Sequence, residues 1–301
     1  GKLLDQMQGV AQQLLIFGMH IHVGFGESNR DLMIEIMNQL RYFLPHILAL
    51  STSSPFWQGR DTGLKSYRSV IFEMLPRTGI PQSFRSYSEF QSFVELLGSV
   101  GSFDKNSEAN KVDATKIWWD VRPHPNFNTL EVRISDIGTR VEETVCLVAL
   151  VQAIVAVLLK LRRKNIGWRH YRRHHIVENK WRAMRYGIQG NLIDFGKAEE
   201  IPMEFLTLEL IDIVDEVVDE LGSREEVAYA RTILKNGTSA DRQLRTYNQI
   251  IQDKVGDDEP SEELKQQAMK SVVDQLVRET VDGIPDVRIP EHMAISDVRG
   301  D

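Results

Sequence analysis

The chain has 301 residues, a formal net charge of −7 from 36 Lys and Arg against 43 Asp and Glu, and 42% hydrophobic residues. That length buries a full core as one large or two modest domains, and the acidic balance excludes a general nucleic-acid or membrane-surface binder while leaving room for a local basic pocket. The single cysteine, Cys146, excludes an intramolecular disulfide framework and fits a reducing compartment, so a cytoplasmic location is expected.

The opening "GKLLDQMQGVAQQLLIFG" is polar before it is apolar and does not read as a signal peptide. Residues 2–16 carry a helical stripe of Leu3, Leu4, Met7, Val10, Ala11, Leu14 and Leu15. "GMHIHVG" (18–24) then alternates, with Met19, Ile21 and Val23 on one strand face and His20 and His22 on the other. A helix is predicted over 29–50, capped by Ser28 or Asn29 with Asp31 in its first turn. The Gly-, Pro- and Ser-rich stretch that follows carries Phe56, Trp57, Arg60, Lys65, Tyr67, Arg68 and Arg77, more aromatic and basic groups than a plain linker needs. A short helix is expected from near Ser88. Strands follow at 115–122 and 129–135, joined by a turn with Pro123 and Pro125. In the second strand Val132 and Ile134 face one way and Glu131 and Arg133 the other.

A long helix is predicted over 141–164; its apolar run, 145–159, is only 15 residues and holds Gln152, so it reads as buried rather than membrane-spanning. "VENKWRAMRYGIQG" starts a helix and then turns, and the last hundred residues are mostly helical, with a stripe of Leu210, Ile213, Val214, Val217 and Val218. "DDEPSEE" and the final "RIPEHMAISDVRGD" read as a loop and a tail. The order predicts an α+β fold, a sheet covered by helices, with the main part over 1–200 and a helical subdomain over 201–301.

A pair of strand histidines is ordinary by itself. With Glu131 and Arg133 as a second same-face pair, and Arg60, Arg68, Lys116 and Arg122 supplying positive charge, such a surface suits phosphates, a carboxylate and a divalent metal. There is no GxxxxGK[ST] loop, no Rossmann glycine pattern, no HExxH and no CxxC. Zinc hydrolysis stays open, since two histidines and a glutamate could meet at a metal.

"GMHIHVG", "STSSPFWQGRDTGLKSYR", "LPRTGIP", "KIWWDVRPHPNFNTLEVRISD" and "ENKWRAMRYG", in this order, resemble the glutamate–cysteine ligase type 2 family of ATP-dependent carboxylate–amine ligases, over about residues 1–290. The resemblance implies a glutamine synthetase-like catalytic fold, with a curved antiparallel sheet covered by helices. It implies ATP with Mg²⁺, or Mn²⁺, an acyl phosphate made from a carboxylate such as glutamate, and transfer to a small amine or amino acid. A homo-oligomer is expected, with no nucleic-acid or membrane partner. By residue, the resemblance implies His20 and Glu131 as metal ligands and His22 as a nucleotide contact. It places Arg133 on the transferred phosphoryl group or the substrate carboxylate, Arg122 and Lys116 on phosphate oxygens, and Arg60, or less directly Arg68, on the substrate carboxylate. Asn179, Arg182 and Arg185 would line the site from the later helix, with Arg185 on the nucleotide side. Segment 52–65 is a candidate lid or pocket wall. The family's upstream strand region, with a GVExE-like motif and further metal-binding glutamates, has no counterpart in these 301 residues. The same fold used as a non-catalytic nucleotide or amino-acid binder, and a metal-dependent hydrolase, are the alternative readings.

Overall fold

The structure, a computed structural model, describes residues 8–102, 114–255 and 259–282. Of the expected first helix, Gln8–Gln13 forms a 3₁₀ turn; residues 2–7, part of "DDEPSEE" and the final tail lie outside the described residues.

The strands are β1 (Ile21–Gly24), β2 (Phe56–Trp57), β3 (Arg60–Asp61), β4 (Thr78–Gly79), β5 (Trp118–Trp119), β6 (Val121–Pro123), β7 (Thr129–Val132), β8 (Asn191–Asp194) and β9 (Glu199–Pro202). The largest sheet among the described residues is antiparallel, of order β1-β7-β6, and β2–β3, β4–β5 and β8–β9 form two-stranded pieces. With eleven α-helices among the described residues between Arg30 and Val281, the chain is α+β as expected.

Two predicted strands are shorter than their patterns. Residues 114–116 form a 3₁₀ turn, and the chain bends at Asp120 between β5 and β6. The bend has a cause: β5 pairs parallel with β4, and Asp120 N–H donates to Gly79 O instead of to β7. The regular β7 ladder ends at Val132: the carbonyls of Arg133 and Ile134 accept from the Arg68 guanidinium, and pairing resumes out of step, with Met19 N–H donating to Ser135 O and Gly18 bridging Asp136. The helix expected over 29–50 is interrupted: Arg30–Leu40 passes through a 3₁₀ turn at Arg41–Phe43 into Leu44–Ser51, where Pro45 stands in the first turn and lacks the N–H a continuous helix requires. The helix expected near Ser88 runs Tyr87–Ser99 and is capped by Ser86, whose side chain accepts from Glu89 N–H.

The long helix spans Val141–Arg163, with Glu142 and Glu143 in its first turn and Lys160, Arg162 and Arg163 in its last, matching the helix dipole. It is long and apolar enough to cross a membrane by length and composition, yet Cys146, Leu147, Leu150, Val151, Ile154 and Leu158 are buried in the protein core. That core is continuous from Met19 through Met37, Ile47, Val121, Leu130 and Leu150 to Leu210, Val214 and Ile233. A smaller cluster, Tyr247, Ala268 and Val272 with Phe56 and Leu276 against it, joins the helices Ser239–Val255 and Glu262–Val281. Alternation on the central sheet sends Ile21, Val121, Leu130 and Val132 into the large core, which leaves the opposite face for polar groups.

Candidate functional site: a charged row on the central sheet

Register makes the site. His22 lies opposite Glu131, and Glu131 opposite Arg122, so three strands place three polar residues in one row. Arg122 Nε donates to Glu131 Oε2 at 2.7 Å and Arg133 Nη1 to Glu131 Oε1 at 2.5 Å, with the glutamate side chain 3% exposed. His20 Nδ1 stands 3.4 Å from Glu131 Oε1 and 3.3 Å from Arg133 Nη1. His22 Nε2 is 3.8 Å from the same oxygen, and its Nδ1 is paired with Thr129 Oγ1 at 2.9 Å. The imidazoles are the solvent side of the cluster, 39% and 33% exposed, and the His22 ring meets His124 edge-on at 5.2 Å. Arg122 is fixed from behind: its Nη1 donates to the carbonyls of Thr115 (2.7 Å), Ala114 (3.4 Å) and Ile117.

One carboxylate thus sits between two buried guanidiniums, and the excess charge is positive. Burial alone would raise the Glu131 carboxyl, but the hydrogen bonds and charges of Arg122 and Arg133 outweigh it and hold it down at about 2. His20 is pushed to about 4 by burial and by the nearby Arg133 charge, so it is a neutral imidazole at pH 7. Arg133 Nε is buried without a hydrogen-bond partner. An unsatisfied buried donor on a charged group is unusual and costs desolvation energy.

Mg²⁺ favours about six oxygen ligands, several of them carboxylate, phosphate or water. Here Glu131 has both oxygens committed to arginines and His20 offers one nitrogen. Among the described residues no group of three or more His, Cys, Asp or Glu could hold a metal ion. The described residues therefore do not make a Mg²⁺ site by themselves, nor the three-ligand zinc site of a hydrolase.

The other sequence candidates are dispersed. Lys116 belongs to the 3₁₀ turn whose carbonyls grip Arg122, and its own carbonyl accepts from Arg77 Nε. Arg60 is exposed on β3, where its charge acts on Glu262 of the last helix. Arg185 lies over the Tyr186 ring at 5.0 Å. Arg182 pairs with Glu178 and Glu200, and Asn179 clamps both backbone groups of Ile193. Arg68 is buried beside the site: it grips the Arg133 and Ile134 carbonyls and stands 3.7 Å from Asp136. Gly18 explains itself there, since an added Cβ would lie 2.2 Å from Arg68 Nη2.

Two buried groups escaped the sequence reading. Asp136 accepts from Ser53 N–H and from the Ser54 and Ser66 hydroxyls; it closes the "TLEVRISD" motif, and a carboxylate ending a strand was the available signal. Lys180 bridges Asp120 (2.7 Å) and Glu73 (2.8 Å), and nothing local in "ENKW" distinguishes it from a surface lysine.

On the far side of Arg68 a cavity of about 460 Å³ is lined by Phe17, Phe56, Trp57, Tyr67, Asp136 and Leu276, among others. Glutamate–cysteine ligase from Francisella tularensis, solved in complex with AMP, has the same overall fold at a TM-score of 0.50 and 12% identity, covering 96% of this chain and 69% of that one. The chain belongs to glutamate–cysteine ligase family 2, matched over residues 2–271. Among relatives provisionally named glutamate–cysteine ligase 2, that of Herpetosiphon aurantiacus is 51% identical over 94% of this chain and 67% of its own length. The Chloroflexus aggregans relative is 50% identical over 94% and 66%, and the Sorangium cellulosum relative 54% over 81% and 63%. The chain thus spans about two thirds of the length of these relatives.

Proposed function

We propose that the chain carries the phosphate-handling face of an ATP-dependent carboxylate–amine ligase of the glutamate–cysteine ligase kind, on a glutamine synthetase-like sheet. The observation that carries the reading is the cross-strand row in which two guanidiniums, Arg122 and Arg133, share the single carboxylate of Glu131 beneath two partly exposed imidazoles, leaving excess positive charge on that face. Family membership supplies the reaction class.

In this proposal a carboxylate oxygen of the substrate attacks the γ-phosphorus of ATP and ADP leaves, giving an acyl phosphate. An amine nitrogen then attacks the acyl carbon, phosphate leaves, and the nitrogen loses a proton. Carboxylate alone resists this attack because oxide is a poor leaving group; phosphate is a good one. Arg133 supplies positive charge to the transferred phosphoryl group, and Arg122 adds to it from behind. Their value is high because both are buried, where field strength is greater than in water. Glu131 orients the two guanidiniums, and the half-exposed His20 and His22 face the nucleotide. Mg²⁺, or Mn²⁺, enters with the nucleotide as part of the substrate.

The test is ADP release and amide formation by the protein supplied with MgATP, glutamate and a panel of amines. His20→Ala removes a half-exposed side chain and is expected to keep the fold while lowering amine-dependent turnover at least tenfold. Arg133→Lys keeps the charge but loses the fork of donors, with an expected loss of about a hundredfold. Undiminished amide formation by both variants would sink the assignment.

A further inference from the structure

We infer that the last described helix, Glu262–Val281, forms part of the pocket for the organic substrate, and that Leu276 and Thr280 set which substrate side groups it accepts. The inference rests on the ligase reading, because it gives the cavity beside Arg68 to the carboxylate or amine partner.

Three observations lead there. First, the cavity adjoins the charged row through one residue: Arg68 lines the cavity, and its guanidinium holds the backbone at Arg133 and Ile134. A molecule in the cavity is therefore next to the strand that presents Arg133. Second, the lining is divided. Phe17, Phe56, Trp57, Ile137 and Leu276 are apolar, while Arg68, Asp136, Ser53, Ser54 and Gln243 gather polar groups. Most of those polar groups satisfy each other: Asp136 accepts from Ser53 and Ser54, and Gln243 Nε2 donates to Ser53 O. That division suits a small amino acid, carboxylate or amine with an aliphatic or thiol-bearing side group, whose apolar part lies against Trp57 and Leu276.

Third, the helix is locked in place at this spot. Leu276 and Thr280, one turn apart, both line the cavity. Glu279, between them in sequence, takes Arg242 Nε at 2.9 Å and Arg242 Nη2 at 3.0 Å, and Thr139 Oγ1 donates to it. Arg242 in turn binds Glu143 at the start of the long helix. One turn earlier, Gln275 meets Thr246. A wall that selects by shape must not yield, and a buried ion pair with directional hydrogen bonds supplies that stiffness.

The experiment has a turnover arm and a binding arm. In the first, KM is measured for a series of amines and carboxylates of increasing side-group length, with KM for ATP measured beside it. Leu276→Trp fills the cavity, and Thr280→Leu fills it from one turn further on. Both are expected to raise KM at least tenfold for the longer members while KM for ATP moves less than twofold; Leu276→Ala is expected to shift preference towards longer members. In the second arm, n-butylamine and butyrate are titrated by saturation-transfer NMR without ATP. Binding to the parent protein that Leu276→Trp and Thr280→Leu both abolish supports the pocket wall. Binding that both leave intact overturns it, as does absence of binding to the parent at tens of millimolar. Probe binding that responds to the variants in a protein without turnover would overturn the ligase reading and leave the pocket wall standing.

Discussion

Glu131 holds two cations with two oxygens, and the balance is asymmetric. Replacing it by glutamine leaves Arg122 and Arg133 buried beside a neutral amide, and loss of one partner from a buried ion cluster costs about 3–5 kcal/mol. Glu131→Gln is therefore expected to lower the thermal midpoint by several degrees, read by circular dichroism, so loss of activity in this variant cannot separate chemistry from folding. His20, 39% exposed, is the cleaner probe. At Gly18 the close approach of Arg68 leaves no room for a methyl group: Gly18→Ala is expected to destabilise by about 1–3 kcal/mol, and an unchanged melting curve would show that Arg68 gives way freely. The same-face pairing of Glu131 and Arg133 was legible from strand alternation alone. That Arg122 pairs with Glu131 was not, because it depends on the register of β6 against β7, and neither was the burial of Arg68, which depends on a segment more than sixty residues from its carbonyl partners.

Elements were legible where a periodic pattern met its own partner and illegible where a side chain intervened. The long helix lies within one residue of its predicted end because its stripe and terminal charges agree. Through Arg133 and Ile134 the alternation holds, with Ile134 in the core and Arg133 beside Glu131, but the regular ladder is interrupted where Arg68 takes their carbonyls, an intervention no local window contains. The latch on Glu262–Val281 carries a pH prediction. Burial works to raise the Glu279 carboxyl, but hydrogen bonds from Arg242, Thr139 and Gln275 overcome it and bring it from an ordinary 4.5 to about 2. A depressed carboxylate contributes its full stability above the unfolded value and loses it as pH falls towards the folded one. Between pH 4.5 and about 2 the latch is thus expected to lose roughly 3 kcal/mol. Glu279→Gln should flatten that part of the acid-stability curve, with Arg140, Arg242 and Glu143 the charged groups facing it. An identical pH slope in the variant would show that other carboxylates dominate.

For the molecule as a whole, the pattern of residues placed the charged row on an α+β sheet, and the collinear motifs placed it in a family. The distribution of the core was beyond the pattern, since Met203, Leu206, Leu210 and Ile233 join the same hydrophobic cluster as Met37 and Leu150. Continuous burial predicts that residues on both sides of position 200 unfold together: with the other native tryptophans replaced by phenylalanine, a chain keeping only Trp119 and one whose sole tryptophan is introduced at Tyr229 should share one urea midpoint. Two separated midpoints would instead give a division into a main part and a helical subdomain. Leu150→Ala, at the centre of the cluster, is expected to cost about 2–5 kcal/mol and to shift both signals equally. Cys146 faces into the same cluster, and burial pushes its thiol up to about 12. A chain that is proposed to work among small thiols therefore keeps its single sulfhydryl out of exchange with them. The same residue is a native clock: an alkylating reagent can mark it only during the intervals when the interior opens, so the labelling rate reads out the opening of the folded state without any engineered probe.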